Sequence, residues 1–164
     1  MTADWTDRIY YGGDLPAEAE KALHMAAAAW HDPALAEQWL AEASRLAPDH
    51  RAVKIGHYKY HFYRNAFARA EPWAKACIAD SLRALNLPAD WRDVAGDDCD
   101  FTGLEPEPRF LLYCLRALGY VLVRQGRADE GLAVLAKVVD LDTPDRTATR
   151  GLVALVMRGP EEEE

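Results

Sequence analysis

The stretch LGYVLVRQGRADEGLAVLAKVVDLDTP, residues 118–144, decides the fold because it carries two apolar helical faces separated by a break. Apolar and small residues recur three and four positions apart on both sides of the break, which is the spacing of one helix face. The first face comprises Leu115, Leu118, Gly119 and Leu122, and the second comprises Gly131, Leu132, Leu135, Val138 and Val139. Residues 125–127, Gln-Gly-Arg, form the break. The stretch therefore predicts two short amphipathic helices folded back on each other.

This predicted hairpin resembles a tetratricopeptide repeat (TPR). The resemblance lies in a large-small pair in the first helix, a glycine at the turn, a small residue at the helix crossing and a large residue in the second helix. Those positions are held by Leu118, Gly119, Gly126, Gly131 and Leu135. The chain departs from the pattern where Leu122 replaces an aromatic residue and where Pro144 falls one residue late. The resemblance implies a scaffold of helical hairpins and names no substrate.

Two further hairpins are predicted upstream, at residues 16–48 and 50–87. In the first, Pro16 suits a first helical turn, and Asp32 followed by Pro33 is a typical start for the second helix. In the second, Asn65 stands where a left-handed turn residue is needed. Its second helix is expected to begin near Pro72, because a proline in a helix interior costs about 3 kcal/mol.

The remaining segments complete one predicted domain, residues 1–158. Residues 3–11 are expected to form a short apolar lid, 88–107 an acidic loop, and 144–158 a capping helix that starts at Thr143 and Pro144. Repeats at 16–48, 50–87 and 108–144 account for most of the chain, and 159–164 form an acidic tail. We therefore predict an all-α protein in which TPR-like hairpins form a short right-handed superhelix.

Composition excludes several functional classes. The chain has 164 residues, half of them hydrophobic, with 19 Lys and Arg against 27 Asp and Glu and a net charge of −8. Such a charge argues against nucleic-acid phosphates as partners. The sequence lacks a membrane-spanning apolar run and a signal-peptide pattern, and its three cysteines are widely spaced. We expect a cytoplasmic protein with no membrane association.

The TPR resemblance implies a ligand groove, because TPR proteins usually bind ligands along the first helices of their repeats. Carried over by position, that groove is cationic and aromatic. It would present Lys21, Met25, Ile55, Lys59, Phe62, Tyr63, Tyr113, Arg116, Tyr120 and Arg124. We expect a protein or peptide partner with acidic residues, its carboxylates paired with the cations. The structural alternative is that the rings fill the stack and the cations only solubilise it.

Metal and catalytic sites have weaker support in the sequence. His57 and His61 are four residues apart, which suits a metal, but no further ligand pattern accompanies them. Asp98, Asp100 and Gly103 resemble the start of a calcium loop, whose end then lacks the required Glu. There is no nucleophile motif, phosphate loop or acid/base pair. We therefore expect no enzyme activity, no metal and no cofactor.

These observations favour a non-enzymatic adaptor that holds a partner peptide or helix in its groove. Residues 57–67, HYKYHFYRNAF, and 87–94, LPADWRDV, resemble small TPR-like proteins found with nitrogen-fixation and other metalloenzyme systems. That resemblance implies an alternative, an accessory factor for metalloenzyme assembly or electron transfer. Two other interpretations stay open. One is a small metal-binding protein or enzyme that uses His57, His61 and the loop at 98–100. The other is a homodimer closed through the groove.

Overall fold

A computed structural model describes residues 13–159 and shows an all-helical chain in this part of the sequence. Its seven α-helices are α1 (Ala17–Ala28), α2 (Pro33–Leu46), α3 (Arg51–Tyr63), α4 (Phe67–Ala84), α5 (Pro106–Arg124), α6 (Ala128–Leu141) and α7 (Thr149–Arg158). One short 3-10 turn, Trp91–Asp93, lies between α4 and α5. No strand occurs within the described residues. The all-α prediction is confirmed.

Consecutive helices pack against each other in chain order. The most extensive contacts join α1 to α2, α3 to α4, α4 to α5 and α5 to α6, and α7 packs on α6. The chain is thus a row of antiparallel hairpins, an arrangement compatible with a helical repeat. The expected lid at residues 3–11 and the glutamates at 161–164 lie outside the described residues. Within those residues, no helix is both long and apolar enough to cross a lipid bilayer.

The two helices of the last hairpin, α5 and α6, cross closely at two glycines, as the sequence predicted. A Cβ atom added to Gly131 would lie 2.7 Å from the carbonyl oxygen of Gly119, and one added to Gly119 would lie 2.6 Å from Leu135 Cδ2. Neither backbone leaves room for a side chain. Gly126, with φ +80°, occupies the turn in the left-handed conformation that glycine tolerates best. The same conformation occurs at Asn65, with φ 59°, where it was predicted.

The predicted start of α4 is wrong. The helix begins at Phe67 and runs through Pro72. A proline at this position removes one hydrogen bond, the one to the carbonyl of Ala68. Because Ala68 is exposed, water can bind that carbonyl. Burial of Phe67 and Ala70 then stabilises the extra turn.

The predicted start of the last helix is also wrong. Residues 143–148 form turns, and α7 begins at Thr149. The buried carboxylate of Asp142 holds these turns, since it accepts hydrogen bonds from the backbone N–H of Arg146 at 3.1 Å and of Thr147 at 2.9 Å. It also accepts one from the Thr147 hydroxyl at 2.8 Å. A chain bound in this way cannot continue as a helix from Pro144.

The acidic loop is packed against the helices. Val94 and Phe101 are buried, and Lys137 Nζ donates hydrogen bonds to the carbonyl oxygens of Arg92 at 3.0 Å and Val94 at 2.7 Å. α5 begins at Pro106, two residues before the predicted repeat boundary. The loop therefore fills part of the core beside α4 and α6.

The buried hydrophobic residues form one large cluster and two small ones. The large cluster spans α3 to α6 and includes Phe110, Leu111 and Leu115. Between α1, α2 and α3 the buried residues are mostly alanines, and they form two smaller clusters. Small side chains fill less space, and an open cavity lies in this part of the molecule.

Candidate functional site

The cavity lies between α1 and α3 and has a volume of about 350 Å³. The two helices approach closely at Gly56, where an added Cβ atom would lie 2.8 Å from Leu23 Cδ2. Beyond this contact, Ala26 and Ala27 leave a space that no side chain fills. The cavity is mostly apolar and is large enough to admit one bulky side chain of a partner.

Two aromatic rings that line the cavity are held in place by an arginine. The rings of Trp30 and Tyr60 meet edge to face with centroids 5.9 Å apart. Arg64 donates a hydrogen bond to the Trp30 carbonyl oxygen at 2.9 Å, and its guanidinium lies 5.2 Å from the centroid of each ring. These contacts restrict the rotamers of both rings, so the apolar surface is preorganised.

Polar side chains also line the cavity, among them one acidic and one basic residue. Glu20 and His24 come from α1, and Lys59 and Tyr63 come from α3. Lys59 is exposed, and so is Tyr63, with 56% of its surface accessible. A ligand here would bury apolar groups inside and place polar groups near these four side chains.

An aromatic strip continues from the cavity toward α5. We define it as Tyr63, Phe62, Phe67 and Tyr120. Phe62 lies 5.2 Å from Tyr63, 5.8 Å from Phe67 and 5.7 Å from Tyr120 between ring centroids. Arg124 caps its far end, with its guanidinium 4.5 Å above Phe67 and a 2.7 Å hydrogen bond to the Tyr120 hydroxyl. The cavity and the strip together cross from α1 to α5.

The structure brings six of the ten predicted groove residues together on this surface. Ile55, Lys59 and Tyr63 line the cavity. Phe62 and Tyr120 belong to the aromatic strip, as Tyr63 also does. Arg124 covers the far end of the strip. The other four predicted residues neither line the cavity nor belong to the strip: Lys21, Met25, Tyr113 and Arg116.

On α1, Lys21 and Met25 are exposed but do not line the cavity. The cavity side of that helix carries Glu20, Leu23, His24 and Ala27 instead. Sequence reasoning missed Trp30 and His24 as cavity residues. The spacing of Leu23, Ala27 and Trp30, four and three positions apart, was a usable signal, because it is the spacing of one helix face.

On α5, Tyr113 and Arg116 precede Tyr120 by two turns and one turn. Arg109 lies 3.4 Å from the Tyr113 hydroxyl, close enough for a weak hydrogen bond. Arg116 is half-buried, and its Nε atom has no hydrogen-bond partner among the described residues. These two residues lie on α5 outside the cavity and the strip.

An ionic cluster joins α3, α4 and α5 near their ends. Arg51 donates hydrogen bonds to Asp80 at 2.8 Å and to both carboxylate oxygens of Glu107 at 2.7 and 2.6 Å. Its guanidinium also lies 4.2 Å from the centroid of Phe110. Burial alone would lower the pKa of Arg51, but the two carboxylates raise it overall. The cluster fixes the relative position of three helices and offers no reactive group.

The histidine pair is part of the packing between α2, α3 and α4. The Nε2 atom of His57 lies 2.7 Å from Ser44 Oγ. Burial lowers the pKa of His57 to about 4, and the charge of His61 adds to this effect. Within residues 13–159, no group of three or more His, Cys, Asp or Glu side chains is arranged to hold a metal ion.

The acidic loop residues bind their own backbone. Asp98 accepts a hydrogen bond from the N–H of Ala95 at 2.8 Å, and Asp100 accepts from the N–H groups of Thr102 at 3.0 Å and Gly103 at 3.1 Å. The Thr102 hydroxyl, which also donates to Asp100 at 3.0 Å, lowers the pKa of Asp100 most, and the two backbone N–H groups lower it further. The carboxylates therefore stabilise turns in the described structure.

Comparison with known proteins gives one informative match. No family model matches the chain, and no solved structure matches it. The match is the "Uncharacterized 19.8 kDa protein in nifW 5'region" of Azotobacter chroococcum mcd 1, which is 34% identical over 145 residues. The alignment covers 85% of this chain and 80% of that protein. The chain therefore belongs to the same family as the uncharacterized 19.8 kDa protein of the nifW 5' region.

Proposed function

We propose that the protein is a non-enzymatic adaptor of TPR-like type, which binds a helix or peptide of a partner protein across α1, α3 and α5. The observation that carries this proposal is the preorganised apolar cavity, which continues at the exposed Tyr63 into the aromatic strip, where Phe62 and Tyr120 are half-buried. A concave, mostly apolar cavity bordered by a few polar groups is the usual form of a binding site. Aromatic residues with neighbouring arginines are also typical of binding hot spots.

The cavity supplies the apolar part of the binding energy. Its volume of about 350 Å³ accommodates one large side chain of the partner. Complete burial of a Leu, Phe or Met side chain contributes about 1.5–3 kcal/mol. Because Trp30 and Tyr60 are already fixed by Arg64, binding orders few side chains on this surface.

The cations on this surface favour a partner with acidic residues. Lys59 is exposed beside the cavity, and Arg124 is exposed at the end of the strip. Both would pair with carboxylates on one side of a bound helix. Such exposed pairs add specificity and faster association more than affinity. The partner is therefore an amphipathic segment with one bulky apolar anchor and acidic residues beside it.

The process that the protein serves is suggested by its relative. That protein is named for its position in the nifW 5' region. We infer that this chain acts as an accessory factor in nitrogen fixation or in the assembly of another metalloenzyme. The partner would then be a protein of that system.

Site-specific photo-crosslinking tests this proposal. A photoreactive amino acid is placed at Tyr63, in cells that express the protein, and a matched probe is placed at Arg83 on α4. Arg83 is exposed and lies outside the proposed surface. We expect the probe at Tyr63 to capture a protein that the probe at Arg83 does not.

The control uses charge reversal on the same surface. Lys59→Glu combined with Arg124→Glu should abolish the crosslink at Tyr63 while leaving the helical circular dichroism spectrum unchanged. Equal capture from Tyr63 and Arg83, or capture that survives the double variant, would show that the partner binds elsewhere.

A further inference from the structure

One narrow face of α5 reaches solvent. Within residues 110–122, every residue is buried except Tyr113, Arg116 and Tyr120. These three residues are three and four positions apart, so they are neighbours on one face of the helix. Arg124, which is exposed, follows one turn after Tyr120. We call these four residues the α5 row, and the row alternates tyrosine with arginine.

The two arginines of the α5 row contact neutral groups. The Nε atom of Arg116 is buried and has no hydrogen-bond partner among the described residues. Arg124 donates a hydrogen bond to the Tyr120 hydroxyl at 2.7 Å and lies 4.5 Å from the centroid of Phe67. A phenol and a ring face compensate a positive charge less well than a carboxylate does. The row can therefore accept negative charge from another molecule.

Two other half-buried arginines of the molecule are neutralised by acidic side chains. Arg51 donates hydrogen bonds to two carboxylates, and Arg127 lies 2.7 Å from Glu71 and 2.7 Å from Glu130. A half-buried guanidinium without such a partner loses part of its hydration and gains no ion pair in return. Arg116 is in that position, so its side chain destabilises the free protein. An acidic group from outside would remove this disadvantage.

We propose that Arg116 determines the specificity of the surface for an acidic partner helix, in which one carboxylate binds Arg116 and a second binds Arg124. This inference rests on the proposed function, because the α5 row shares Tyr120 and Arg124 with the proposed binding surface. It adds the charge pattern that the partner must carry.

The length of α5 between the two arginines sets that pattern. Arg116 and Arg124 are eight residues apart, which is about 12 Å along the helix axis. In a partner helix that lies along α5, residues seven apart share one face and are separated by about 10.5 Å. Long arginine and glutamate side chains can adjust to the difference. We therefore expect two acidic residues seven positions apart, with an apolar residue between them over the ring of Tyr120.

The charge of the whole chain disfavours a nucleic acid as the occupant. Rows of arginine and tyrosine can bind single-stranded nucleic acid through phosphate pairing and base stacking. The chain has a net charge of −8, which would repel a polyphosphate backbone outside the row. A helix with two carboxylates places its charges beside the arginines alone.

Thermal unfolding of Arg116→Met tests whether Arg116 is unsatisfied in the free protein. Methionine keeps the apolar stem and removes the charge, so the melting temperature should rise by about 2–4 °C. The matched control is Arg127→Met, which removes a half-buried arginine that has two carboxylate partners. Its melting temperature should fall. A fall of equal size in both variants would overturn the proposal.

Titration with designed peptides tests the charge pattern. An alanine-based helical peptide of about twenty residues carries two glutamates seven positions apart and a leucine between them. The probe signals are the Nε–H resonances of the arginines in the full chain. The resonances of Arg116 and Arg124 should shift, with a dissociation constant of roughly 0.1–1 mM at low salt. The same peptide with glutamines should bind about tenfold more weakly.

Variants of the protein complete the titration. Arg116→Met should bind the glutamate peptide about tenfold more weakly than the wild type does. Arg83→Met should bind it as the wild type does, because Arg83 is exposed on α4 outside the surface. Equal binding of the two peptides, no shift up to about 5 mM peptide, or unchanged binding in Arg116→Met would each overturn the proposal. A single-stranded oligouridine that binds the wild type but not Arg116→Met would assign the row to nucleic acid instead.

Crosslinking from Tyr63 separates this inference from the proposed function. Capture of a partner that is unchanged in Arg116→Met would refute the role of Arg116 and leave the adaptor proposal in place. If Tyr63 captures no specific partner in the wild type, the adaptor proposal fails. The preference for the glutamate peptide would then support the α5 row by itself.

Discussion

The imidazole of His57 stacks on the indole of Trp73, with ring centroids 3.9 Å apart and an angle of 13° between the planes. This contact joins α3 to α4, and the hydrogen bond between His57 and Ser44 joins α3 to α2. His57 therefore couples the first two hairpins. It can do so only as a neutral ring, because burial lowers its pKa to about 4.

The first prediction concerns acid stability. Unfolded His57 has an ordinary pKa of 6.5, so between pH 6.5 and about 4 the unfolded state binds a proton that the folded state rejects. Stability should fall as the pH falls through this window. The loss should be about 2 kcal/mol, less than the full pKa shift implies, because the ring is partly exposed to solvent.

Urea unfolding at pH 7.5 and at pH 5, in the wild type and in His57→Gln, measures this effect. The carboxylates titrate alike in the wild type and the variant. The difference between the two proteins in the pH dependence of the free energy of unfolding therefore gives the contribution of His57. The variant should be less stable at pH 7.5 and lose less stability on acidification. Parallel pH curves for the two proteins would contradict the assignment.

The second prediction concerns Arg51. Removing its side chain in Arg51→Ala leaves the half-buried Glu107 without this cation and removes the contact with Phe110. Asp80 loses its shortest ion pair and keeps only the longer contacts with Lys54 and Arg83. We expect a loss of about 2–3 kcal/mol in the free energy of unfolding. The control is Arg45→Ala, which breaks the exposed pair with Glu42 and should have no measurable effect. Comparable losses in both variants would show that burial does not set the strength of the Arg51 cluster.

The third prediction compares two helical glycines. A Cβ atom on Gly131 would lie 2.5 Å from Val123 Cγ2 and 2.7 Å from the Gly119 carbonyl, and a backbone atom cannot rotate away. Gly131→Ala should therefore destabilise the protein by about 2 kcal/mol or more. Gly151→Ala lies in open space on α7 and should stabilise it by about 0.5–1 kcal/mol, through the higher helix propensity of alanine. Chemical denaturation measures the free energy of unfolding of both variants. The same sign of change in both would contradict the close crossing at Gly131.

The positions of the helices were largely predictable from sequence, because the residues that set them act locally. Gly119 and Gly131 identified the closest helix crossing, and Asp32 and Asn65 marked a helix start and a turn that the structure contains. The start of α7 was not predictable in this way. It depends on Asp142, whose side chain binds residues that local helix signals would assign to the helix.

The candidate surface was only partly predictable, because it depends on the rotation of α1. That helix contains Ala26, Ala27 and Ala28 in succession, and a run of alanines gives no strong apolar direction. Lys21 and Met25 were placed in the groove by their positions in the repeat, whereas the structure has Glu20 and His24 beside the cavity. The aromatic side chains of α3 give that helix a clearer direction, and three of the residues predicted for the groove, Ile55, Lys59 and Tyr63, line the cavity.

The fourth prediction tests whether the cavity itself is the binding site. Ala27 lines the cavity and is exposed, so a larger side chain can enter the space without displacing the core. Ala27→Leu should leave the protein as stable as the wild type or raise the free energy of unfolding by up to about 1 kcal/mol, through added apolar contact. The same side chain would occupy the volume that the partner's anchor needs. Capture of the partner by the photoreactive probe at Tyr63 should fall by roughly tenfold, as expected when a central anchor is excluded.

The matched control is Ala28→Leu, one position further along the same helix. Ala28 is also exposed but does not line the cavity, so its replacement tests the effect of an added leucine without filling the space. Partner capture should be retained in this variant. Equal loss in both variants would mean that the surface of α1 matters more than the cavity. Retained capture in Ala27→Leu would restrict the binding site to the aromatic strip between Tyr63 and Arg124, where contacts with α5 carry the interaction.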